Sequence, residues 1–440
     1  MASKATPGAR GVVVTAVGTT NPLGGDAAST WSALREGRCA VRTLDAAWVE
    51  EYRLPVRIGA PLAVDPAQQL TPKQVRRLDR ASQCALIAAR EAWEQAGAPQ
   101  VDAERLAVSI SPGMGPILSV MGAWDTLRER GPRRVLPTAV PALMPNAPAA
   151  TVGIELGARA GIHAPVSACA SGAEAIALGA DLIALGRADI VVAGGTDAAL
   201  HPMTVASFAA MRALSGRNED PATASRPFAS DRDGFVLGEG AGVLILESAE
   251  HATARGAEPL AVLAGAGVSA DAYDVARPEP SGVEQERALR MALGRAGIEA
   301  GRVAHVNAHA TSTPVGDVVE AEMLARVVPK AAVSATKSAT GHLLGGAGGL
   351  EAVLTVLALG CSWAPPTLLP SGLDERVVEL GLNVVGPGGQ DLAGARRLHA
   401  GLLPGGGAFS RRGAASAPGP RRRRSGRAQA RRPTPAPGRG

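Results

Sequence analysis

The feature that most constrains the fold of this chain is an internal repeat. The segment Gly11–Gly18 (GVVVTAVG) resembles Leu260–Gly267 (LAVLAGAG), and the tripeptide at 166–168 (VSA) recurs at 333–335. Each stretch has the pattern of a short apolar strand, and the tripeptides precede a turn and a long apolar helix. Two similar halves that each supply a strand, a turn and a buried helix predict a common layered core. Chance similarity between Ala/Gly/Val-rich segments is the alternative interpretation.

The composition is that of a large folded protein. Of the 440 residues, 46% are hydrophobic and 54 are glycine, which suits closely packed layers around a deep core. No apolar run reaches the roughly twenty residues of a membrane helix, and the N-terminal apolar stretch resembles a strand and turn more than a secretion signal. The four cysteines have no CxxC spacing. We therefore expect an α/β fold, a cytoplasmic location, no membrane partner, no disulfide framework and no metal.

Cys169 stands where a thiol can act as a nucleophile. It lies in the run Pro165–Gly172 (PVSACASG), between an apolar strand pattern and a long apolar helix pattern. Free N–H groups and the positive end of the helix dipole at such a position favour the thiolate over the thiol. A lone cysteine in a small-residue helix is usually a packing residue, so this segment alone leaves both interpretations open.

Two histidines occupy similar strand-to-helix turns later in the chain. His309 lies in the segment 307–314 (NAHATSTP), and His342 ends the segment 335–342 (ATKSATGH) before an apolar helix predicted for Gly348–Leu359. A single histidine in such a turn is more often structural than catalytic. Because the chain has only seven histidines, two of them in turns rich in Gly, Ser and Thr indicate a common active site with the cysteine.

Together with the segments 226–228 (RPF) and 233–242 (DGFVLGEGAG), these motifs resemble those of the β-ketoacyl-acyl-carrier-protein synthases. The resemblance is strongest to the elongating type II ketosynthases of actinobacteria and covers about residues 11–385. It implies an α/β fold of the thiolase type, with five layers (αβαβα) formed by two similar halves. Residues 1–255 would form the half that carries the nucleophilic cysteine, and residues 256–410 the half that carries both histidines.

The resemblance implies a decarboxylative Claisen condensation in fatty acid or polyketide synthesis. An acyl group would pass from the phosphopantetheine of an acyl carrier protein to Cys169, and malonyl-carrier protein would then lose carbon dioxide and attack the thioester. His309 and His342 would donate Nε2–H groups to the malonyl thioester oxygen, and the Cys169 N–H would bind the acyl oxyanion. No separate cofactor is implied. The implied partners are acyl carrier protein and a second subunit, in a homodimer or a heterodimer with a related ketosynthase-like chain.

Five further side chains match the family's site. Lys337 and Glu351 would form a buried ion pair near the second histidine, and their apolar surroundings favour the pair because an unpaired buried charge is costly. Thr311 and Thr313 would hydrogen-bond the pantetheine amides, although a role in turn geometry explains their hydroxyls nearly as well. Phe235 would lie beside the malonyl site, or it is an ordinary core residue.

The C-terminal residues depart from the resemblance. Residues 411–440 contain ten arginines and no acid, whereas residues 1–410 carry a net charge of −5, which argues against a nucleic-acid-binding fold and predicts a disordered basic tail. Where the family has a loop of the form NSFGFGG and a final core strand, this chain has LLPGGGAF at 402–409. We interpret this as a shift of the reading frame between about residues 386 and 397. The final strand and a second oxyanion N–H would then be missing, which puts catalysis by this chain in question.

The sequence suggests four alternatives to the elongating synthase. A degradative thiolase needs a second cysteine near the C-terminus, and none follows Cys361. A non-catalytic partner subunit lacks the active cysteine, so Cys169 argues against it, while the altered C-terminus argues for it. A nucleotide site in the glycine cluster 345–349 lacks the Lys-Ser/Thr of a phosphate loop. A basic-tailed binding protein would depend on residues 411–440. Acyl chain length, saturation and pathway stay open.

Overall fold

The computed structural model of the chain describes residues 10–274 and 277–392, together with the backbone of residues 401–402 and 407–410. The basic tail expected at residues 411–440 lies outside the described residues.

The helices of the described residues are, in chain order, α1 (Ala27–Arg35), α2 (Ala47–Glu51), α3 (Pro72–Arg77), α4 (Arg80–Gln95), α5 (Ile117–Arg130), α6 (Ala139–Leu143), α7 (Ala147–Leu156), α8 (Ser171–Ala184), α9 (Pro202–Ala210), α10 (Ala249–Ala254), α11 (Val283–Ala296), α12 (Gly316–Val327), α13 (Lys337–Thr340), α14 (Gly345–Cys361) and α15 (Glu375–Glu379). Short 3₁₀ turns add Pro66–Gln68, Ala103–Arg105, Pro132–Arg134, Ala168–Ala170, Pro221–Thr223 and Ala300–Arg302. Within these residues no helix is long and apolar enough to cross a membrane.

The strands are β1 (Val12–Thr20), β2 (Arg42–Thr43), β3 (Ile58–Gly59), β4 (Leu106–Ser111), β5 (Gly161–His163), β6 (Ile190–Ala198), β7 (Glu239–Ser248), β8 (Ala261–Ala266), β9 (His305–Asn307), β10 (Ala332–Ser334), β11 (Trp363–Ala364), β12 (Asn383–Val384), β13 (Gln390–Asp391), β14 (Gly401–Leu402) and β15 (Gly407–Ser410).

The first half of the chain forms a mixed sheet in the order β5-β4-β6-β7-β1. Strands β4, β5 and β6 are parallel, whereas β7 runs antiparallel to both β6 and β1. Every residue of β1, β6 and β7 is buried, because helices cover both faces of the sheet. Helices α4 and α7 pack on one face, and α8 and α14 pack on the other. Continuous apolar runs are the expected sequence of strands that are covered in this way.

The second half extends the first sheet beyond β1 through β8, β15 and β14, and it adds a separate three-stranded sheet of β12, β10 and β9. Strands β12, β10 and β9 are parallel neighbours, and β14 lies beside β9. Strand β15 pairs antiparallel with β14 and β8, and β8 pairs with β1. Helix α11 packs against β8 and α12 against α11, so the order is helix, sheet, helix, sheet, helix, with α8 and α14 in the middle layer. This confirms the five-layered α/β fold predicted from the sequence.

The repeated segments meet at the centre of the molecule. In the alignment of Gly11–Gly18 with Leu260–Gly267, Val13 corresponds to Val262, and these two residues are direct antiparallel partners in the sheet. Antiparallel pairing of equivalent residues is the arrangement that an internal two-fold axis produces. The repeat therefore describes two similar halves, although their boundary at residues 255 and 256 stays a prediction.

Glycines allow the two middle-layer helices to touch. A Cβ atom at Gly172 of α8 would lie 2.7 Å from the Gly345 oxygen of α14, and one at Gly348 would lie 2.6 Å from the Ala173 nitrogen. The first turn of α14 also lies against strand β6, where a Cβ at Gly195 would be 2.1 Å from the Gly345 oxygen. The glycine cluster 345–349 is therefore occupied by helix packing, which argues against a nucleotide site there.

The expectation that the sheet lacks its last strand is wrong. Residues Gly407–Ser410 form β15, which pairs along β8 with an irregularity between Ala408 and Phe409, and β14 completes a hairpin with it. The physical reason is that a β-ladder is made by backbone N–H and C=O groups. A segment whose side chains differ from the family's final strand can therefore still cover the edge of β8.

Candidate active site

Cys169 lies in the 3₁₀ turn Ala168–Ala170, immediately before α8. The hydroxyl of Ser171 closes this turn: it accepts the Ser167 N–H at 2.9 Å and donates to the Ala168 oxygen at 2.7 Å. Ala168 has a φ of +52°, a left-handed conformation that residues with a side chain rarely adopt. Backbone strain of this kind persists where the surrounding structure fixes it, and it is frequent at active sites.

His342 faces the cysteine from the turn that precedes α14. Its Nε2 atom lies 3.1 Å from Cys169 Sγ. The Leu344 N–H donates to the Nδ1 atom of the same ring at 3.2 Å, so Nδ1 is the acceptor and Nε2 carries the proton. The imidazole is only 2% exposed, and burial lowers its pKa well below the ordinary value, with a further decrease from the Lys337 charge. His342 is therefore a neutral ring that points an N–H at the sulfur.

His309 joins the site from the loop that follows β9. Its ring lies edge to face with that of His342, with 5.3 Å between centroids and an interplanar angle of 88°. The ammonium of Lys337 lies 3.3 Å from His309 Nδ1 and can only donate, which again leaves the proton on Nε2. Burial and the Lys337 charge lower the pKa of His309 well below its ordinary value. Both histidines are thus neutral Nε2–H donors.

The same three side chains could in principle ligate a metal ion. One ligand atom each from Cys169, His309 and His342 lies within 4.8 Å of the others. A histidine binds metal through an unprotonated nitrogen, however, and here both Nδ1 atoms accept hydrogen bonds, so the nitrogens available to an ion carry protons. The nearby ammonium of Lys337 also repels a cation. The hydrogen bonds therefore favour an organic ligand with a carbonyl oxygen at this site.

Lys337 and Glu351 form an ion pair beneath the histidines. The Nζ atom of Lys337 contacts Glu351 Oε1, and each side chain is almost fully buried. Burial raises the pKa of Glu351 to about 7, and the Lys337 charge opposes this increase. Because both side chains are almost fully buried, neither group has solvent as an alternative partner. The lysine is therefore held at a fixed place between Glu351 and His309.

Burial opposes the thiolate that the sequence favoured at Cys169. Although the side chain is only half-buried, its surroundings raise the pKa of the thiol to about 11, mainly by desolvation, while the Lys337 charge and a backbone hydrogen bond lower it. The turn before α8 does present the sulfur at a helix N-terminus. In the apolar site this effect is smaller than the cost of removing a thiolate from water.

The remaining predicted residues line the same region. The Thr311 and Thr313 hydroxyls lie 3.1 Å apart on the loop between β9 and α12, and both side chains are partly exposed. The Phe235 ring packs edge to face on His342, with 5.3 Å between centroids, and on Phe208, with 5.2 Å. The structure thus brings six of the predicted residues into one connected group: Cys169, His309, His342, Lys337, Glu351 and Phe235. Thr311 and Thr313 follow His309 on the same loop.

Three buried carboxylates at the site were not predicted from the sequence. Glu320 accepts the N–H groups of His309 at 2.8 Å and Ala310 at 2.6 Å, and thereby holds the histidine loop. Asp317 accepts the Thr313 N–H at 3.3 Å. Asp197 accepts backbone N–H groups from two distant segments. A single acid in an otherwise uncharged strand was the available signal for Asp197, whereas two acids on an amphipathic helix are unremarkable.

Comparison with known proteins identifies the family. Residues 9–252 match the family model described as Beta-ketoacyl synthase, N-terminal domain, and residues 260–369 match Beta-ketoacyl synthase, C-terminal domain. The chain belongs to the β-ketoacyl synthase family. It is an acyltransferase of the ketosynthase type, and the chemistry of this family requires no separate cofactor.

Individual relatives agree with this assignment. The 3-oxoacyl-[acyl-carrier-protein] synthase 2 of Mycobacterium tuberculosis is 44% identical over 369 residues, which are 83% of this chain and 88% of that protein. A type II PKS ketosynthase solved with its acyl-carrier protein and a hexaketide superposes with a TM-score of 0.82 at 27% identity, covering 91% of this chain and 98% of that chain. The ishigamide ketosynthase/chain length factor gives a TM-score of 0.80, also at 27% identity and with the same coverage. A non-catalytic partner subunit is not favoured.

Proposed function

We propose that the chain condenses an acyl group held on Cys169 with a malonyl group carried by acyl carrier protein, with loss of carbon dioxide. The observation that carries this proposal is the position of two neutral Nε2–H donors beside one thiol. His342 Nε2 lies 3.1 Å from Cys169 Sγ, and the His309 ring lies against that of His342. Two donors suit a reaction that develops negative charge on a carbonyl oxygen.

In the first step, the Cys169 sulfur attacks the carbonyl carbon of an acyl thioester. A carbon–sulfur bond forms to the cysteine, and the bond to the pantetheine sulfur breaks. The thiol proton of Cys169 ends on the departing pantetheine sulfur, so the exchange of one thioester for another is balanced. The Cys169 N–H at the start of α8 stabilises the oxyanion that forms between these events.

In the second step, a malonyl thioester enters and its carbon–carboxylate bond breaks. Carbon dioxide leaves, and the electron pair is delocalised as an enolate onto the thioester oxygen, which accepts hydrogen bonds from His309 and His342. The enolate carbon then attacks the acyl carbon on Cys169, a carbon–carbon bond forms, and the cysteine sulfur leaves as a thiolate. This thiolate takes up one proton from water, which restores the thiol. The product is a β-ketoacyl thioester on the carrier.

The other predicted residues support these two steps. Lys337 donates to His309 Nδ1 and so fixes the histidine as an Nε2–H donor, while Glu351 neutralises the lysine. Thr311 and Thr313 have hydroxyls at the partly exposed side of the site, where the amides of a pantetheine arm would pass. Phe235 packs edge to face with His342 and would form an apolar wall of the malonyl site. The cysteine comes from residues 1–255 and the histidines from residues 256–410.

Acyl carrier protein is the proposed partner, as it is the partner of the solved type II PKS ketosynthase. We place the chain in the cytoplasm and in fatty acid or polyketide synthesis. Two features of the surface support a second subunit. Strand β5 is the outer strand of the sheet. Apolar side chains, including Trp124, Leu136 and Val140, are exposed on and next to α5 and α6. A homodimer would cover them, and so would a related ketosynthase-like chain.

The proposal is tested by the covalent intermediate. Incubation with an acyl carrier protein that carries an acyl group should increase the mass of the chain by that one acyl group. Peptide mapping should locate the group on Cys169. The Cys169→Ala variant should gain no acyl group, whereas the matched Cys361→Ala variant should be acylated like the parent, because Cys361 lies exposed at the end of α14. Acylation elsewhere, or none by a folded parent protein, would contradict the proposed function.

A further inference from the structure

Asp197 is a fully buried acid that none of the steps above uses. It lies at the end of β6, a strand of nine buried residues. Its carboxylate accepts the Gly113 N–H at 2.8 Å and the Met114 N–H at 3.2 Å, both from the loop after β4. The Gly345 N–H, at the first residue of α14, donates to the same carboxylate at 2.7 Å. One side chain therefore joins two segments that are far apart in sequence.

The contacts around this carboxylate are backbone against backbone. A Cβ atom at Gly345 would lie 2.1 Å from the Gly113 nitrogen. One at Gly113 would lie 2.8 Å from the Ala168 oxygen, in the turn that carries the cysteine. The loop after β4, the cysteine turn and the start of α14 thus meet around Asp197 with no space for a side chain. A shift of any one of them would move the other two.

The residue before α14 donates a hydrogen bond to His342. Leu344 precedes Gly345 and has a φ of +51°, which is a strained conformation for a residue with a side chain. In that conformation its N–H donates to His342 Nδ1 at 3.2 Å. The Gly345 N–H bond to Asp197 is the contact that anchors the next residue of the chain. If it were lost, Leu344 could relax, and Nδ1 would be free to carry the proton.

We propose that Asp197 is a positioning residue that keeps His342 in the Nε2–H form by anchoring Gly345 and hence the strained Leu344. The acceptor oxygen is what matters, because Gly113 and Gly345 both donate to Oδ2. The inference rests on the proposed function only for its kinetic consequence. The protonated nitrogen of His342 can be measured in the resting protein.

The primary test is ¹⁵N NMR of histidine-labelled protein, which distinguishes a protonated Nδ1 from a protonated Nε2. The His342 signals are assigned by their loss in His342→Gln. In the parent protein His342 should be protonated at Nε2, and in Asp197→Ala a substantial fraction should be protonated at Nδ1. Asp197→Asn should retain the parental signal, because its amide oxygen can replace Oδ2. A parent protein that is protonated at Nδ1 overturns the proposal, even if the alanine variant fails to fold.

Asp79→Ala is the matched control for a merely structural effect. Asp79 is also buried and also accepts two backbone N–H groups, from Ala81 at 2.8 Å and Ser119 at 3.0 Å, but it belongs to the start of α4. Both alanine variants should lower the melting temperature, and only Asp197→Ala should change the His342 signal. An equal change in the two variants, or none in Asp197→Ala, would overturn the proposal.

The kinetic test measures the effect of misplacing the His342 Nε2–H donor. In Asp197→Ala, kcat for malonyl decarboxylation should fall about a hundredfold while KM for malonyl-carrier protein is unchanged, since a small displacement of a catalytic group has effects of this size. An unchanged kcat with an increased KM would contradict the positioning role. A parent protein that shows the Nε2–H form but no condensation would instead count against the proposed function alone.

Discussion

The reactivity of Cys169 depends on two opposing effects. The apolar surroundings raise the pKa of its thiol to about 11, whereas the His342 N–H and the Lys337 charge stabilise the thiolate. Because the raised pKa lies above neutrality, the sulfur of Cys169 is a thiol in the resting site.

This balance predicts how alkylation of Cys169 varies with pH. Below a pKa of about 11, the thiolate fraction and the rate of iodoacetamide alkylation should rise about tenfold for each pH unit. The exposed Cys361 should react readily at neutral pH, so site-resolved mass spectrometry of Cys361→Ala is the measurement of choice. A rate at Cys169 that reaches its plateau below pH 8 would show that the helix terminus and the histidines outweigh burial.

At the scale of elements, the Lys337–Glu351 pair joins α13 to α14 in a region without solvent. Removing one partner leaves the other charge buried and unpaired, so Lys337→Met or Glu351→Leu should lower the free energy of unfolding by about 3–5 kcal/mol. The double variant should regain much of this loss, because it contains neither charge. Urea unfolding of the three variants measures the coupling, and additive losses would mean that the two groups do not interact.

The hairpin β14–β15 has a testable role in covering β8. A chain ended at Ser410 keeps both strands and should have the melting temperature of the full chain. A chain ended at Leu392 loses them, exposes the unpaired backbone of Ala261–Ala266, and should melt at a lower temperature and aggregate more readily. Calorimetry of the two truncated proteins separates these outcomes. Equal melting temperatures would mean that β15 adds nothing to the sheet.

For the whole molecule, the layered fold could be predicted because the apolar patterns of its strands and helices and their internal repeat are local features of the sequence. The repeat that pairs Val13 with Val262 is visible in the amino-acid sequence alone. The β14–β15 hairpin could not be predicted, because a Gly- and Pro-rich segment has little strand propensity and pairs only where an edge such as that of β8 is available.

The same distinction applies to the site. Cys169, His309 and His342 could be found because their residue types are uncommon in this chain and occur in turns before helices. Asp197 and Glu320 could not, because each acts on backbone N–H groups and the chain has 40 acidic residues. The partners of Asp197 at Gly113 and Gly345 are 84 and 148 residues away in sequence. Contacts between residues so far apart in sequence form only when the layers of the fold assemble.

We infer that His309 and His342 are needed for decarboxylation of the malonyl group more than for acyl transfer to Cys169, and a comparison of the two activities tests this. Acyl transfer to Cys169 and release of labelled carbon dioxide from malonyl-carrier protein are followed in the parent, His309→Ala and His342→Ala. We expect each variant to become acylated yet to release carbon dioxide at least about a hundredfold more slowly, since each loses one donor to the enolate oxygen. Release at the parental rate in both variants would contradict the claim.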